Sequence, residues 1–149
     1  MNGWLLDTNV IAEVSGVKPD RRVLGWIESL PEHQLYISIL TLGEYQKGLE
    51  HLAPGDKFRP RLKRAIARLA ERFSGRILSL SDPIVLRWGA ISGEVKRITG
   101  HSPSVIDTQL AATAIEHDLY FATRNVNHVI HSGVAIFNPW TDDPAQFPV

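Results

Sequence analysis

Trp4-Leu5-Leu6-Asp7-Thr8-Asn9-Val10-Ile11 begins as a short apolar run, stops at three residues suited to opening a helix, and resumes as Val10-Ile11-Ala12-Glu13-Val14. An apolar run this brief followed by helix-capping residues predicts strand, turn, helix, with Asp7 at the junction. Two more carboxylates sit in similar settings, Thr41-Leu42-Gly43-Glu44 and Ser104-Val105-Ile106-Asp107, each at an apparent helix start. If the fold gathers those starts at one sheet edge, Asp7, Glu44 and Asp107 form an acidic pocket able to hold Mg²⁺ or Mn²⁺. Bound divalent ions are sufficient machinery for cleaving a phosphodiester with water.

The rest of the chain repeats the alternation. Pro19-Asp20 starts a helix whose apolar face is Val23, Leu24, Trp26, Ile27 and Leu30, and Pro31 ends it. Leu35-Tyr36-Ile37-Ser38 reads as a second strand. Leu40 to Leu52 is helical up to the turn Ala53-Pro54-Gly55-Asp56, and Arg59 to Phe73 forms another helix closed by Gly75. Arg76 to Leu80 is a third strand, and Ser81-Asp82-Pro83 caps a helix from Ile84 to Ile98. Thr99-Gly100-His101-Ser102-Pro103 breaks it. Val105 to His117 is the next helix, Leu119 to Ala122 a fourth strand and Val134 to Phe137 a fifth. Strands separated by helices predict an α/β fold in three layers, a central parallel sheet of about five strands flanked by helices. Ligands of such folds lie beyond the carboxyl ends of the strands, where Asp7 and Thr123-Arg124-Asn125 fall.

Composition narrows the chemistry. A chain of 149 residues, 44% hydrophobic, fits one domain, expected over 1–140, with 141–149 as a polar, mobile tail. No apolar run approaches a membrane span, and Met1-Asn2-Gly3-Trp4 lacks the basic-then-apolar pattern of a secretory signal, so the expected location is cytoplasmic. Without cysteine, a metal site must use oxygen or imidazole, and oxygen donors point to Mg²⁺ or Mn²⁺. With 16 basic and 16 acidic side chains, any attraction to nucleic acid is local.

Taken singly, each acid has a plain structural explanation. Thr41-x-x-Glu44 and Ser104-x-x-Asp107 fit the capping box, and Asp7 suits a cap. Capping and chemistry are compatible, because a helix N-terminus favours an ionised carboxylate. Three crowded anions repel, and a bound divalent ion relieves that repulsion.

Leu5-Leu6-Asp7-Thr8-Asn9-Val10-Ile11, Leu42-Gly43-Glu44, Ile106-Asp107-Thr108-Gln109-Leu110-Ala111-Ala112-Thr113-Ala114, Ala122-Thr123-Arg124-Asn125 and the closing Phe137-Asn138-Pro139-Trp140 together resemble the PIN-domain ribonucleases. Within that superfamily the chain is most similar to VapC toxins and FitB-type proteins of bacterial toxin–antitoxin pairs. The resemblance implies a Mg²⁺- or Mn²⁺-dependent endoribonuclease acting on RNA. It further implies a homodimer, inhibition by a small VapB- or FitA-like antitoxin, and contact with DNA only through that partner. Asp7, Glu44 and Asp107 match the family's acidic positions, with Asp7 and Asp107 as metal ligands and Glu44 completing the site directly or through water. Asn125 stands where a fourth acid is common, so the second metal position loses a charge. His128 is able to supply imidazole there, although a solvated surface histidine is its default reading. Thr8, Asn9 and Thr123 are candidates to orient the carboxylates.

Lys57 to Arg72 holds seven cations against Glu71 alone. Arg61, Arg64, Arg68 and Arg72 share one helical side and Leu62, Ile66, Leu69 and Phe73 another. The basic stripe suits RNA phosphates, an acidic antitoxin segment or plain solvation, and Arg124 is positioned to grip phosphate. Two other functional classes fit part of the pattern. A phosphorylated Asp7 would suit a phosphotransfer protein, but Asn9 stands where a second aspartate is needed. A binding module that has lost catalysis and works with a DNA-binding partner is compatible with Asn125.

Overall fold

All three residues of β1 (Trp4–Leu6) are buried, Trp4 and Leu6 on one side and Leu5 on the other. A strand with no solvated face belongs in the middle of a sheet covered on both sides. The computed structural model, which describes residues 1–149, places it there. β2 (Leu35–Ser38), β3 (Ile77–Leu78), β4 (Tyr120–Ala122) and β5 (Ile136–Phe137) complete one sheet in the order β3-β2-β1-β4-β5. Every pairing is parallel, as expected from the alternation. β3 and β5 are two residues each, shorter than the apolar runs that foretold them.

Seven helices run α1 (Thr8–Val14), α2 (Arg21–Ser29), α3 (Ile39–His51), α4 (Arg59–Arg72), α5 (Asp82–Thr99), α6 (Val105–Glu116) and α7 (Val126–Val129). One layer packs Val10 and Ile11 of α1, Val23, Trp26 and Ile27 of α2, and Leu69 of α4 against Trp4, Leu6, Leu35 and Ile37. The other sets Leu110, Ala111 and Ala114 of α6 against Leu5 and Phe121. Small residues keep α6 close to the sheet, and Ala112 on its outer side meets Ile84, Ile91 and Val95 of α5. The Arg87 guanidinium, ion-paired with Glu116, holds these two helices together. α5 stops at Gly100, whose left-handed backbone (φ 81°) lets its N–H reach the Lys96 carbonyl at 2.8 Å.

The strand order reverses between β1 and β4, and the cross-sheet register Leu6↔Ala122 puts their carboxyl ends side by side. The Asp7 N–H donates to the Ala122 carbonyl at 2.9 Å and extends the pairing by one step. Asp7 and Thr123 are therefore forced together by sheet register alone.

Several local expectations need correction. α3 begins at Ile39, capped by Ser38, whose Oγ accepts from the Leu40 N–H at 3.1 Å. Thr41 is thus a buried residue inside the helix and not a cap, and Glu44 lies in its second turn. The reason is that Ser38 reaches the first turn from the strand end, so no cap is needed at Thr41. Only the Ser104 half of the second capping box forms, with Ser104 Oγ accepting from the Asp107 N–H at 3.4 Å. The segment 141–149, expected to be mobile, carries Phe147 onto the aromatic cluster of Trp4, Tyr120 and Phe137, with ring centroids 6.3, 5.3 and 4.9 Å away. One apolar ring anchors an otherwise polar segment. Arg72 leaves the basic stripe, because it and Arg76 are ion-paired with Glu32 at 2.6 and 3.2 Å.

Gly3 precedes β1 with φ 150°, and a Cβ there would collide with the Gln34 carbonyl oxygen. Gly3→Ala is expected to cost about 2 kcal/mol and lower Tm by roughly 5 °C. A calorimetric scan of the variant showing an unchanged Tm would contradict this close approach.

Candidate active site

Asp7 is 4% exposed at the end of β1 and caps α1. Its Oδ1 accepts from the Thr8 N–H at 2.7 Å, while Oδ2 accepts from Thr123 Oγ1 at 2.6 Å and Asn9 Nδ2 at 3.1 Å. Asn9 also bridges outward, its Nδ2 donating to Thr123 Oγ1 at 3.3 Å and its Oδ1 accepting from the Arg124 N–H at 3.4 Å. Thr123 Oγ1 accepts in turn from the Asn125 N–H at 3.0 Å. Thr8, Asn9 and Thr123 thus brace one carboxylate from the two strand ends.

The other two acids arrive from different layers. Glu44 on α3 accepts from Thr8 Oγ1 at 3.0 Å, and that hydroxyl also lies 3.3 Å from Thr41 Oγ1. Asp107, its side chain 16% exposed in the first turn of α6, places Oδ2 2.9 Å from His128 Nδ1. His128 is therefore not the lone solvated histidine that its neighbours suggest. The short helix α7, unforeseen from sequence, turns its ring onto the acid across 21 residues of chain. Asn125 caps α7 with no side-chain hydrogen bond, so its amide is free beside Thr123.

Electrostatics show that the three acids share one field. Burial pushes the Asp7 carboxyl up from 3.8 to about 6, opposed first by the Thr123 hydroxyl. The negative charges of Asp107 and then Glu44 push it up further. Residues 37 and 100 positions away in sequence therefore converge on Asp7 closely enough to change its ionisation. The donor set is oxygen-rich, anionic and free of thiolate, which suits a hard divalent cation. No three acidic or imidazole side chains stand ready as a closed cage. Glu44 and Asp107 are instead drawn aside onto Thr8 and His128.

The candidate basic residues lie apart from this pocket. Arg64 and Arg68 are exposed on α4, neither ion-paired with a carboxylate, and Arg68 edges a groove beside Phe58 and Val17. Arg124 follows the strand end, but its guanidinium sits 5.0 Å from the centre of the Trp140 ring.

Because Asp7 holds its proton more tightly folded than unfolded, its contribution to stability is greatest below about pH 4 and is lost as pH rises through about 6. Without metal, Asp7→Asn should remove that slope. Between about pH 4 and pH 7 the unfolding free energy of the variant should gain on wild type by roughly 2–3 kcal/mol. Parallel urea-unfolding curves for the two proteins across that range would contradict a desolvated, repelled carboxylate.

A family model described as PIN domain matches residues 4–129. Toxin FitB of Neisseria gonorrhoeae is 37% identical over 141 residues, covering 93% of this chain and 99% of that protein. VapC ribonuclease Y4jK of Sinorhizobium fredii is 31% identical over 136 residues, covering 91% of this chain and 96% of its own. The crystal structure of FitAcB from Neisseria gonorrhoeae superposes with a TM-score of 0.80 at 34% identity, over 92% of this chain and 98% of the other. With its switch-point acids, its parallel sheet and these likenesses, the chain belongs to the PIN-domain family, in the branch of the FitB and VapC toxins.

Proposed function

We propose that this protein is a Mg²⁺- or Mn²⁺-dependent endoribonuclease that acts in the cytoplasm as the toxin of a toxin–antitoxin pair. One observation supports it above the others: Asp7, at the switch point of the sheet, is repelled by both Asp107 and Glu44. Mutual repulsion among buried anions is tolerated where a cation neutralises it. Asp7 and Asp107 would hold the cation directly, with Glu44 reaching it directly or through water. When bound, such an ion lowers the pKa of a water molecule and stabilises negative charge developing on phosphate.

The chain's own side chains supply the rest. Thr123, Asn9 and the Thr8 N–H fix both oxygens of Asp7, so the carboxylate keeps one orientation as it exchanges its proton for a cation. His128, donating from Nδ1, holds Asp107 in a single rotamer. Thr8 does the same for Glu44. The free Asn125 amide is placed to hydrogen-bond a water or a phosphate oxygen without adding charge.

Arg64 and Arg68 supply the phosphate attraction that a net charge of zero does not. A groove of about 670 Å³ between the end of α1 and α4 is lined by Val17, Tyr45, Phe58 and Leu62 together with Arg61 and Arg68. Val17 is 99% exposed there. An amphipathic, acidic segment of a small antitoxin fits this surface, and in covering Arg68 it would also compete with RNA. Contact with DNA runs through that antitoxin, and the toxin acts as a homodimer.

A second reading, a binding module without catalysis, is favoured by Asn125 alone. The experiment that separates them is degradation of RNA by purified, partner-free protein with Mg²⁺ or Mn²⁺. Asp7→Asn and Asp107→Asn should each lower the cleavage rate at least about a hundredfold. Equal activity in all three preparations, or none in wild type, would overturn the nuclease reading.

A further inference from the structure

Three of the chain's six histidines, His101, His128 and His131, edge a single cavity of about 360 Å³ beside Asp107. It opens between the loop after Gly100 and the α7 segment, and Ser104, which caps α6, and Thr108, next to Asp107 on that helix, form part of its wall. Its lining is chemically distinctive. Ile91, Val95 and Pro103 give an apolar surface, the remaining lining residues are polar, and no lysine, arginine, aspartate or glutamate is among them. The side chains of His101, Asn127 and His131 make no hydrogen bond within the chain, so their donors and acceptors are available to a ligand.

A phosphate subsite would be built from cations, and a lipid or aliphatic pocket would lack this polar rim. Apolar surface for a flat ring, imidazoles to stack on it and an amide to read its edge match an unpaired nucleobase. The volume lies at the small end of ligand pockets, enough for one base and too little for a helix. His128 joins the two regions, since the ring that edges the cavity is the one that holds Asp107. We propose that this cavity is a nucleobase subsite, which takes one unpaired base of the RNA strand adjacent to the phosphate to be cut and discriminates among bases through Asn127, His101 and His131. The inference rests on the nuclease reading above for the neighbouring scissile phosphate.

Fluorescence-anisotropy titrations test it with single-stranded homopolymers of A, C, G and U ribonucleotides and a base-less ribose phosphate chain of equal length. Wild type, Asn127→Ala and His131→Ala are compared without metal, so that no probe is cut. Both positions are exposed, and thermal melts establish that the variants fold. Wild type should bind at least one homopolymer about tenfold more tightly than the base-less chain. Both variants should lose most of that preference and the ranking among bases while binding the base-less chain as wild type does. Wild type without base preference, or variants that retain it in full, would overturn the subsite. RNA left uncut with Mg²⁺ or Mn²⁺, together with a base preference that depends on Asn127 and His131, would remove the nuclease reading and keep the subsite.

Discussion

The parallel pairing of β1 with β4 is the constraint on which the site depends. Its register, Leu6 opposite Ala122, leaves the next residue of each strand side by side, and those residues are Asp7 and Thr123. The 2.6 Å bond from the Thr123 hydroxyl to Asp7 is thus a consequence of β-sheet geometry. A one-residue slip would turn side chains to the opposite face and would drive Leu5 and Phe121, which are fully buried against α6, into the core of the other layer. The core that stabilises the fold therefore specifies the position of the Asp7 carboxylate.

That position is costly for an anion. Asp7 is buried, lies between two other acids, and retains its charge only with the aid of Thr123 and the Thr8 N–H. Groups held in such tension at a sheet's switch point are a physical mark of a functional site. Glu44 and Asp107 are held by hydrogen bonds to Thr8 and His128. The hydroxyl of Thr8 and the imidazole of His128 thus partner two of the three acids that share the field at Asp7.

Sequence made some of this readable and concealed the rest for identifiable reasons. Trp4-Leu5-Leu6 and Leu35 to Ser38 announced buried strands because they are apolar on both faces and bounded by capping or turn residues. Asp7 was legible because a carboxylate directly after such a strand has few places to go. Thr41 was misleading, since a threonine three residues before a glutamate fits a cap wherever it occurs, whereas Ser38 takes that role from the strand end. The partner of His128 was hidden because it is set by α7, four residues with no periodicity long enough to read, so a solvated surface histidine stood as the default reading. Phe147 was overlooked in a segment rich in proline and acid, where composition hides the one ring that reaches the aromatic cluster. The three-histidine cavity joins residues about thirty positions apart, a separation that no local pattern encodes.

The convergence of acids from three separate elements is tested most directly by carboxyl NMR titration of Asp7 in the metal-free protein, repeated in Asp107→Asn and Glu44→Gln. The expected midpoint is about 6 in wild type, and it should fall in both variants, further in Asp107→Asn because that charge acts more strongly on Asp7. An Asp7 that titrates near the ordinary aspartate value of about 4 in all three proteins would contradict a shared acidic site.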